Sequence, residues 1–306
     1  MISRTGTSKK NILAFDFGGT KVAIATADSN GIVLSRKILS TDDFKDAISL
    51  LDRAIIEGKR LLESLDASSL VSVGVSTMGI TFEDNVIMAP NVVGWSKLRL
   101  PSYFRYAFPN IPITIENDVK SAAIAELRHG ALKSVNTGIY VNLGTGIAVV
   151  FIIDGRIVHG YQGSAGEIGY SLRDPNELRG FSEGVAPLEE FVGGKGIRSH
   201  TIDFFNRDME AIEIFQRVRD GDSRAREFIN SVIKEIAFHL SNLAIAWNPE
   251  VVVFGGGMVG ARDLIFPIIR SYFEKFVPFP PQLLEARFKQ LPALYGAIEL
   301  ALDCIN

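Results

Sequence analysis

The chain has 306 residues, 47% hydrophobic and 22% charged, which is enough apolar material for two globular cores and excludes a disordered or collagen-like chain. With 32 basic against 35 acidic residues the net charge is −3, and no Lys/Arg block suited to a phosphate backbone is present, so nucleic acid is not an expected partner. A single cysteine, Cys304, excludes an intramolecular disulfide and a cysteine-built zinc site; with no signal-peptide pattern and no apolar run near the roughly 20 residues of a membrane span, the expected compartment is the cytoplasm.

Asn11 to Gly18 reads as a buried strand closing in a glycine turn, and Val22 to Ala27 as its hairpin partner. Asn30-Gly31 then turns the chain into a strand over Ile32 to Ser40. From Thr41 the period lengthens. Phe44, Ile48, Leu51, Ile55, Leu62 and Leu65 recur at helical spacings, with Asp42 and Asp43 expected at the helix start. A strand (Val71 to Ser76), a loop with Pro and Gly (Met78 to Trp95) and a strand (Ile113 to Glu116) follow. Asn117 and Asp118 stand where N-caps stand, ahead of an alanine-rich helix over Val119 to Arg128.

The opening then repeats. FDFGGTKVAIATADSNGIV (15–33) aligns with VNLGTGIAVVFIIDGRIV (141–158) at an offset of 126 for most of its length, with Gly18 on Gly144, Thr20 on Gly146 and Asp16 on Asn142. A spaced duplication of this kind predicts two copies of one α/β unit. Beyond it come a glycine-rich region (Gly160 to Gly196), helical stretches near 208–219 and 223–247, and a strand ending in glycines (Val251 to Gly257). A last helix bears Leu294, Ile298 and Leu302 and can fold back onto the first domain.

Three glycine turns end strands: Gly18-Gly19-Thr20, Gly144-Thr145-Gly146 and Gly255-Gly256-Gly257. Glycine lets a backbone approach a phosphate closely, and convergent amides make an anion nest; Thr20 and Thr145 add hydroxyls and Lys21 a charge. Neither a P-loop nor a dinucleotide-binding fingerprint is present. Two such hairpin turns facing each other would hold a polyphosphate in a cleft between domains. Asp16 can then orient a phosphate-bound Mg²⁺ through water, or simply cap a strand end. In Glu116-Asn117-Asp118, Asp118 fits the base for an attacking hydroxyl and Asn117 a hydroxyl-orienting amide, against the plain reading of a helix cap. Gly163 to Tyr170, followed by Glu189 in PLEEFVGG, sets polar groups among glycines and suits a polyol, although Glu189 also reads as a solvated helix start. The loop Ala89 to Trp95 adds Asn91 and an aromatic surface, with Trp95 equally readable as core.

LAFDFGGTKVAIA, GVSTMGI, APNVVGW, ENDVKSAAIAE, VNLGTGIAVVFIIDGRIVHG, GSAGEIGY, LEEFVGG and VVVFGGGMV, in that order over about 12 to 304, together resemble the ROK family of repressors and sugar kinases within the actin-like ATPase superfamily. The resemblance implies an α/β, two-domain actin-like (ribonuclease H-like) fold with an interdomain cleft. A smaller domain is expected over 1–118 plus 290–306 and a larger one over 119–289. It implies an ATP- and Mg²⁺-dependent hexose kinase acting at a sugar hydroxyl, usually C6. The alternative is an N-acetylhexosamine or amino-sugar kinase of the N-acetylmannosamine or N-acetylglucosamine type, and a non-catalytic sugar-binding regulator is a further reading. Carried over by position, Asp118 looks like the catalytic base, Asn91, Asn117, Glu167 and Glu189 like sugar contacts, Asp16 with Gly18, Gly19, Thr20, Gly144, Thr145 and Gly146 like the phosphate side, and Gly255, Gly256 and Gly257 like the adenosine side; on their own chemistry, Lys21 adds charge to the phosphate side and the Tyr170 hydroxyl can hydrogen-bond a sugar hydroxyl. A homodimer is also implied. A DNA-binding repressor is disfavoured, because about ten residues precede the first strand and the net charge is negative.

The chain departs from the family pattern at one place. Tyr170 replaces the zinc-binding His, and Gly180, Ser182 and Pro187 stand at the cysteine positions, so no zinc is expected and packing is expected to brace that loop.

Overall fold

The computed structural model describes residues 10–65, 69–82, 84–89 and 92–305. The chain divides into two compact units. The first takes the described residues of Met1–Arg128, Tyr161–Gly163 and Gln290–Asn306; the second takes His129–Gly160 and Ser164–Lys289.

The first unit runs β1 (Asn11–Phe17), β2 (Lys21–Asp28), β3 (Val33–Ser40), α1 (Ala47–Glu63), β4 (Leu70–Thr77), a small hairpin β5 (Ile80–Phe82) and β6 (Asn85–Ile87), α2 (Leu100–Ala107), β7 (Ile113–Asn117) and α3 (Asp118–His129). The second runs β8 (Gly138–Leu143), β9 (Ile147–Ile153), β10 (Arg156–Ile157), α4 (Glu189–Val192), α5 (Gly194–Phe205), α6 (Ala211–Arg219), α7 (Ser223–Trp247), β11 (Val251–Gly255), α8 (Arg262–Phe276) and β12 (Gln282–Glu285). The chain then returns to the first unit as α9 (Pro292–Asp303).

The expected duplication is present in the topology. One sheet has the order β3-β2-β1-β4-β7 and the other β10-β9-β8-β11-β12. In each, an antiparallel three-stranded meander is extended by two parallel strands. Gly18 and Gly144, aligned in sequence, each open the turn between the first two strands of their sheet.

Both faces of the first sheet are covered, so β1 reads as a continuous apolar run. Its period of two sends Leu13, Phe15 and Phe17 into a cluster with α1 and α2, and Ile12 and Ala14 into one with α9. Asp16 shares the Ile12/Ala14 face at the strand end. α9 packs close because glycines make room: a Cβ on Gly74 of β4 would collide with the Ala297 carbonyl, and one on Gly296 of α9 with the Ser121 carbonyl of α3. These contacts seat the helix that begins at Asp118. Trp95 is core, fully buried with its Nε1 donating to Thr77 Oγ1 at 2.9 Å.

Several elements differ from expectation. Asp42 and Asp43 lie in a 3-10 turn, and α1 is capped instead by Asp46, whose Oδ1 accepts from Ser49 N at 2.8 Å. The loop before Trp95 contains the β5–β6 hairpin. Also unanticipated, α8 carries Pro267 in its interior, a residue that argues against a helix, yet Ile265, Ile269 and Phe273 bury one face at helical spacing. Among the described residues no helix is long and apolar enough to cross a membrane.

Candidate active site

In the first unit, the parallel register of β1 and β4 sets Asp16 beside Ser76, whose Oγ donates to Asp16 Oδ1 at 3.0 Å. The chain then turns through Gly18, Gly19 and Thr20, closed by Gly18 N to Lys21 O at 3.0 Å. Thr41 ties the turn down: its hydroxyl donates to Gly19 O at 2.9 Å and its amide to Thr20 O at 3.0 Å. Gly19, Thr20 and Lys21 stay exposed at the tip.

At the end of β7, Asn117 caps α3, its Oδ1 accepting from Val119 N (3.0 Å) and Lys120 N (3.2 Å). Its Nδ2 donates to Gly79 O at 3.0 Å, leaving one amide hydrogen uncommitted. Asp118 is the first residue of α3, and its Oδ1 accepts from Val119 N at 2.9 Å. Lys120 is buried, with Nζ donating to Gly163 O at 2.7 Å.

Burial raises the Asp118 carboxyl, and the neighbouring Asp16 carboxylate raises it further, to about 7; the Val119 amide and Lys120 pull the other way. Asp16 is itself pushed up to about 6 by burial, against its Ser76 hydrogen bond and Lys21. Two carboxylates that repel are therefore gathered at the strand ends of this unit, one of them poised to exchange a proton near neutral pH. The oxygen donors Asp16 and Ser76 fit a cation such as Mg²⁺, which takes one or two carboxylates and keeps its waters and phosphate oxygens.

In the second unit, Gly144, Thr145 and Gly146 form the β8–β9 turn, closed by Gly144 N to Gly146 O at 3.0 Å. The start of α5 docks on it, with Gly194 N to Gly144 O at 2.9 Å and Lys195 N to Thr145 O at 3.1 Å. Glu189, the first residue of α4, reaches back so that its Oε2 accepts from Ile147 N at 3.1 Å. Burial raises its pKa, partly offset by that amide and by Lys195.

The loop carrying Glu167 and Tyr170 runs along β9. Val149 N donates to Gly166 O at 2.9 Å, and Gly166 sits at φ +95° where any Cβ would strike the Val149 carbonyl. Burial, then the Glu189 and Glu167 carboxylates, raise the Tyr170 hydroxyl, so this phenol lies near both acids. Gly255 and Gly256 pack against Tyr140 and the Leu143 carbonyl, whereas Gly257 has open space around it.

Within the first unit, therefore, Asp16, the turn 18–21, Asn117 and Asp118 are gathered. Within the second, the turn 144–146 adjoins Glu189 and Tyr170 on one side and, through the Leu143–Gly256 contact, the third glycine turn on the other. Asn91 lies outside the described residues. Gly180 and Ser182, at the cysteine positions, belong to a tight turn held by Glu183, with Gly180 N to Glu183 Oε2 at 2.8 Å and Ser182 Oγ to Glu183 Oε1 at 2.6 Å. Among the described residues no group of three or more His, Cys, Asp or Glu is placed to hold a metal ion. Residues that sequence reasoning passed over are Ser76, Thr41 and Lys120. A lysine two residues past Asp118, ahead of an apolar, alanine-rich run, is the one signal the sequence offers.

A model of the ROK family matches residues 12–304. The glucokinase of Halalkalibacterium halodurans is 26% identical over 280 residues, 85% of this chain and 84% of that one. The N-acetylmannosamine kinase of Salmonella typhimurium is 26% identical over 291 residues, 94% and 97% of the two chains. Among solved structures, the ROK hexokinase from Thermus thermophilus superposes with a TM-score of 0.80 at 24% identity, covering 96% of this chain and 99% of that one. The fold is that of the actin-like ATPases.

Proposed function

The chain belongs to the ROK family, and from that premise we propose that it is an ATP-dependent sugar kinase with Asp118 as its general base. The observation that carries this reading is the gathering of Asp118 and Asp16, far apart in sequence, into one place where burial and mutual repulsion bring the Asp118 carboxyl to about 7. A base tuned near the working pH combines a large ionised fraction with a useful driving force for proton uptake.

Phosphoryl transfer asks mainly for positioning and charge stabilisation. In the proposed reaction, Asp118 accepts the proton of a sugar hydroxyl as its oxygen bonds to the γ-phosphorus, and the bond from that phosphorus to the bridging oxygen of the departing ADP breaks. The exposed Gly19 and Thr20, with Lys21, and the turn at Gly144, Thr145 and Gly146 hold phosphate oxygens; Gly255, Gly256 and Gly257 serve the adenosine side. Mg²⁺, when bound, supplies charge neutralisation, and Asp16 with Ser76 would hold it.

Asn91, Asn117, Glu167, Tyr170 and Glu189 are the proposed sugar contacts. A hexose phosphorylated at C6 is the first reading and an N-acetylhexosamine the second; a glucokinase and an N-acetylmannosamine kinase, each 26% identical to this chain, support one each. The test is a panel of glucose, mannose, N-acetylmannosamine and N-acetylglucosamine with ATP and Mg²⁺, read by coupled ADP release, with the product's phosphate located by NMR. Turnover of one sugar class is expected. Sugar binding without ADP release would make the protein a sugar-responsive regulator instead.

A further inference from the structure

The segment from Ser171 to Pro187 leaves the turn that carries Glu167 and Tyr170 and returns directly before Glu189. It contains a turn at Asp174–Glu177 and a short 3-10 turn at Phe181–Glu183, and exposes Leu172, Leu178 and Phe181. A long stretch with so little structure of its own needs outside anchors to keep its ends in register.

Arg173 is anchored in two directions at once. Its guanidinium lies over the Phe191 ring of α4, 3.6 Å from carbon to ring centroid, and its Nε donates to Glu235 Oε1 of α7 at 3.2 Å. Both anchors are themselves held. Phe191 meets His200 of α5 edge-on at 5.4 Å, and His200 Nδ1 lies 2.8 Å from Gly196 O. Glu235 also has His239 Nε2 at 3.7 Å, on the long helix whose Ile233, Ile236, Ala237 and Leu240 are buried in the core. Phe191 stands two residues past Glu189 in α4, so a ring fixed by the guanidinium fixes the helix that aims the Glu189 carboxylate. The other aromatic contact of the segment, Tyr170 on Phe181 at 5.3 Å, is weaker as an anchor because Phe181 is itself 64% exposed.

We propose that Arg173 is a positioning residue: stacked on Phe191 and paired with Glu235, it clamps the segment 171–187 and so holds Tyr170 and Glu189 in place to receive the sugar. This deepens the sugar-kinase reading and, for its effect on the sugar, rests on it. An arginine suits the task because one planar, weakly hydrated group can stack on a ring and donate in its own plane together, which an ammonium cannot.

The test uses the full chain with Arg173→Ala, Arg173→Lys and Glu235→Gln. Amide exchange is read at Val185 and Leu188, whose N–H groups bond Gly180 O and Gly169 O. Arg173→Ala is expected to speed exchange at both and to raise the sugar KM about tenfold while kcat and the ATP KM stay within about twofold. Arg173→Lys falls between that variant and the wild type, and Glu235→Gln, which removes charge without a cavity, moves the sugar KM in the same direction by less. Unchanged exchange in Arg173→Ala, or a fall in kcat with the sugar KM unmoved, overturns the proposal. A wild type that turns over no sugar overturns the kinase reading instead, and the exchange measurement then decides the clamp alone.

Discussion

Glu189 occupies the space that Gly146 leaves by having no side chain: the Oε2 that accepts the Ile147 amide at 3.1 Å lies where a Cβ on residue 146 would stand. One carboxylate, proposed as a sugar contact, is thereby bonded to the turn proposed to hold phosphate. Gly146→Ala is expected to lower the melting midpoint by several degrees, an overpacking cost of about 1–3 kcal/mol at roughly 2–4 °C per kcal/mol. Placed in a Glu189→Ala background, the same change is expected to cost far less, because the clash has gone. Additive effects across the four proteins would show that the two residues do not share that space.

Some glycines are required by packing, whereas others, Gly257 among them, are required by no contact within the chain. A Cβ at Gly74 meets the Ala297 carbonyl of α9, whereas a Cβ at Gly257 meets nothing within 4 Å. Gly74→Ala should therefore destabilise the fold markedly, as seen in its thermal midpoint. Gly257→Ala should melt like the wild type yet raise the KM for ATP, the methyl filling open space on the proposed adenosine side. An unchanged KM in that variant would remove Gly257 from the nucleotide site.

On the free enzyme, kcat/KM should fall on the acid side of about pH 7, since a protonated Asp118 can accept no further proton. Asp16 and Asp118 repel each other, so this limb belongs to the pair. The Lys120 ammonium favours the ionised carboxylate, and Lys120→Met is expected to move the limb to higher pH. The same variant leaves the Gly163 carbonyl without its donor, at a cost of about 1–3 kcal/mol that denaturation would detect. A pH profile identical to that of the wild type would separate Lys120 from Asp118.

The two raised carboxyls also link stability to pH. Their folded values of about 6 and about 7 lie above the ordinary 3.8, so between about pH 4 and pH 7 the folded chain binds protons that the unfolded chain has released. These two groups therefore contribute stability that is present below about pH 4 and is lost as the pH rises through 6 and 7. Asp118→Asn removes the burial of a charge and is expected to melt higher than the wild type at pH 8, with the gap closing towards pH 4. A variant less stable than the wild type at pH 8 would contradict the sign.

Much of this was legible in the sequence because it is local. The turns at Gly18 and Gly144 follow from strand–glycine–strand patterns, their duplication predicted two copies of one α/β unit, which the two like sheets match, and Asn117 before an alanine-rich run marked the start of α3. What stayed hidden depends on partners distant in the chain. Ser76 and Asp16 are 60 residues apart and Arg173 and Glu235 are 62 apart, so neither pairing leaves a local trace. Asp42, Asp43 and Asp46 are equally good caps by residue type, and only the extended backbone at Asp46 decides among them. α8 was masked by Pro267, whose helix-breaking tendency is overridden by a buried face. The aromatic surface at Trp95 turned inward because Thr77 offers its indole a buried acceptor.

The central claim is that Asp118 takes the proton from the sugar hydroxyl. Single-turnover phosphorylation by Asp118→Asn, with sugar affinity measured separately by calorimetry, tests it most directly. The account predicts a loss of about 10²–10⁴ in the chemical step with the sugar dissociation constant nearly unchanged. A variant that phosphorylates its sugar within a few-fold of the wild-type rate would contradict it.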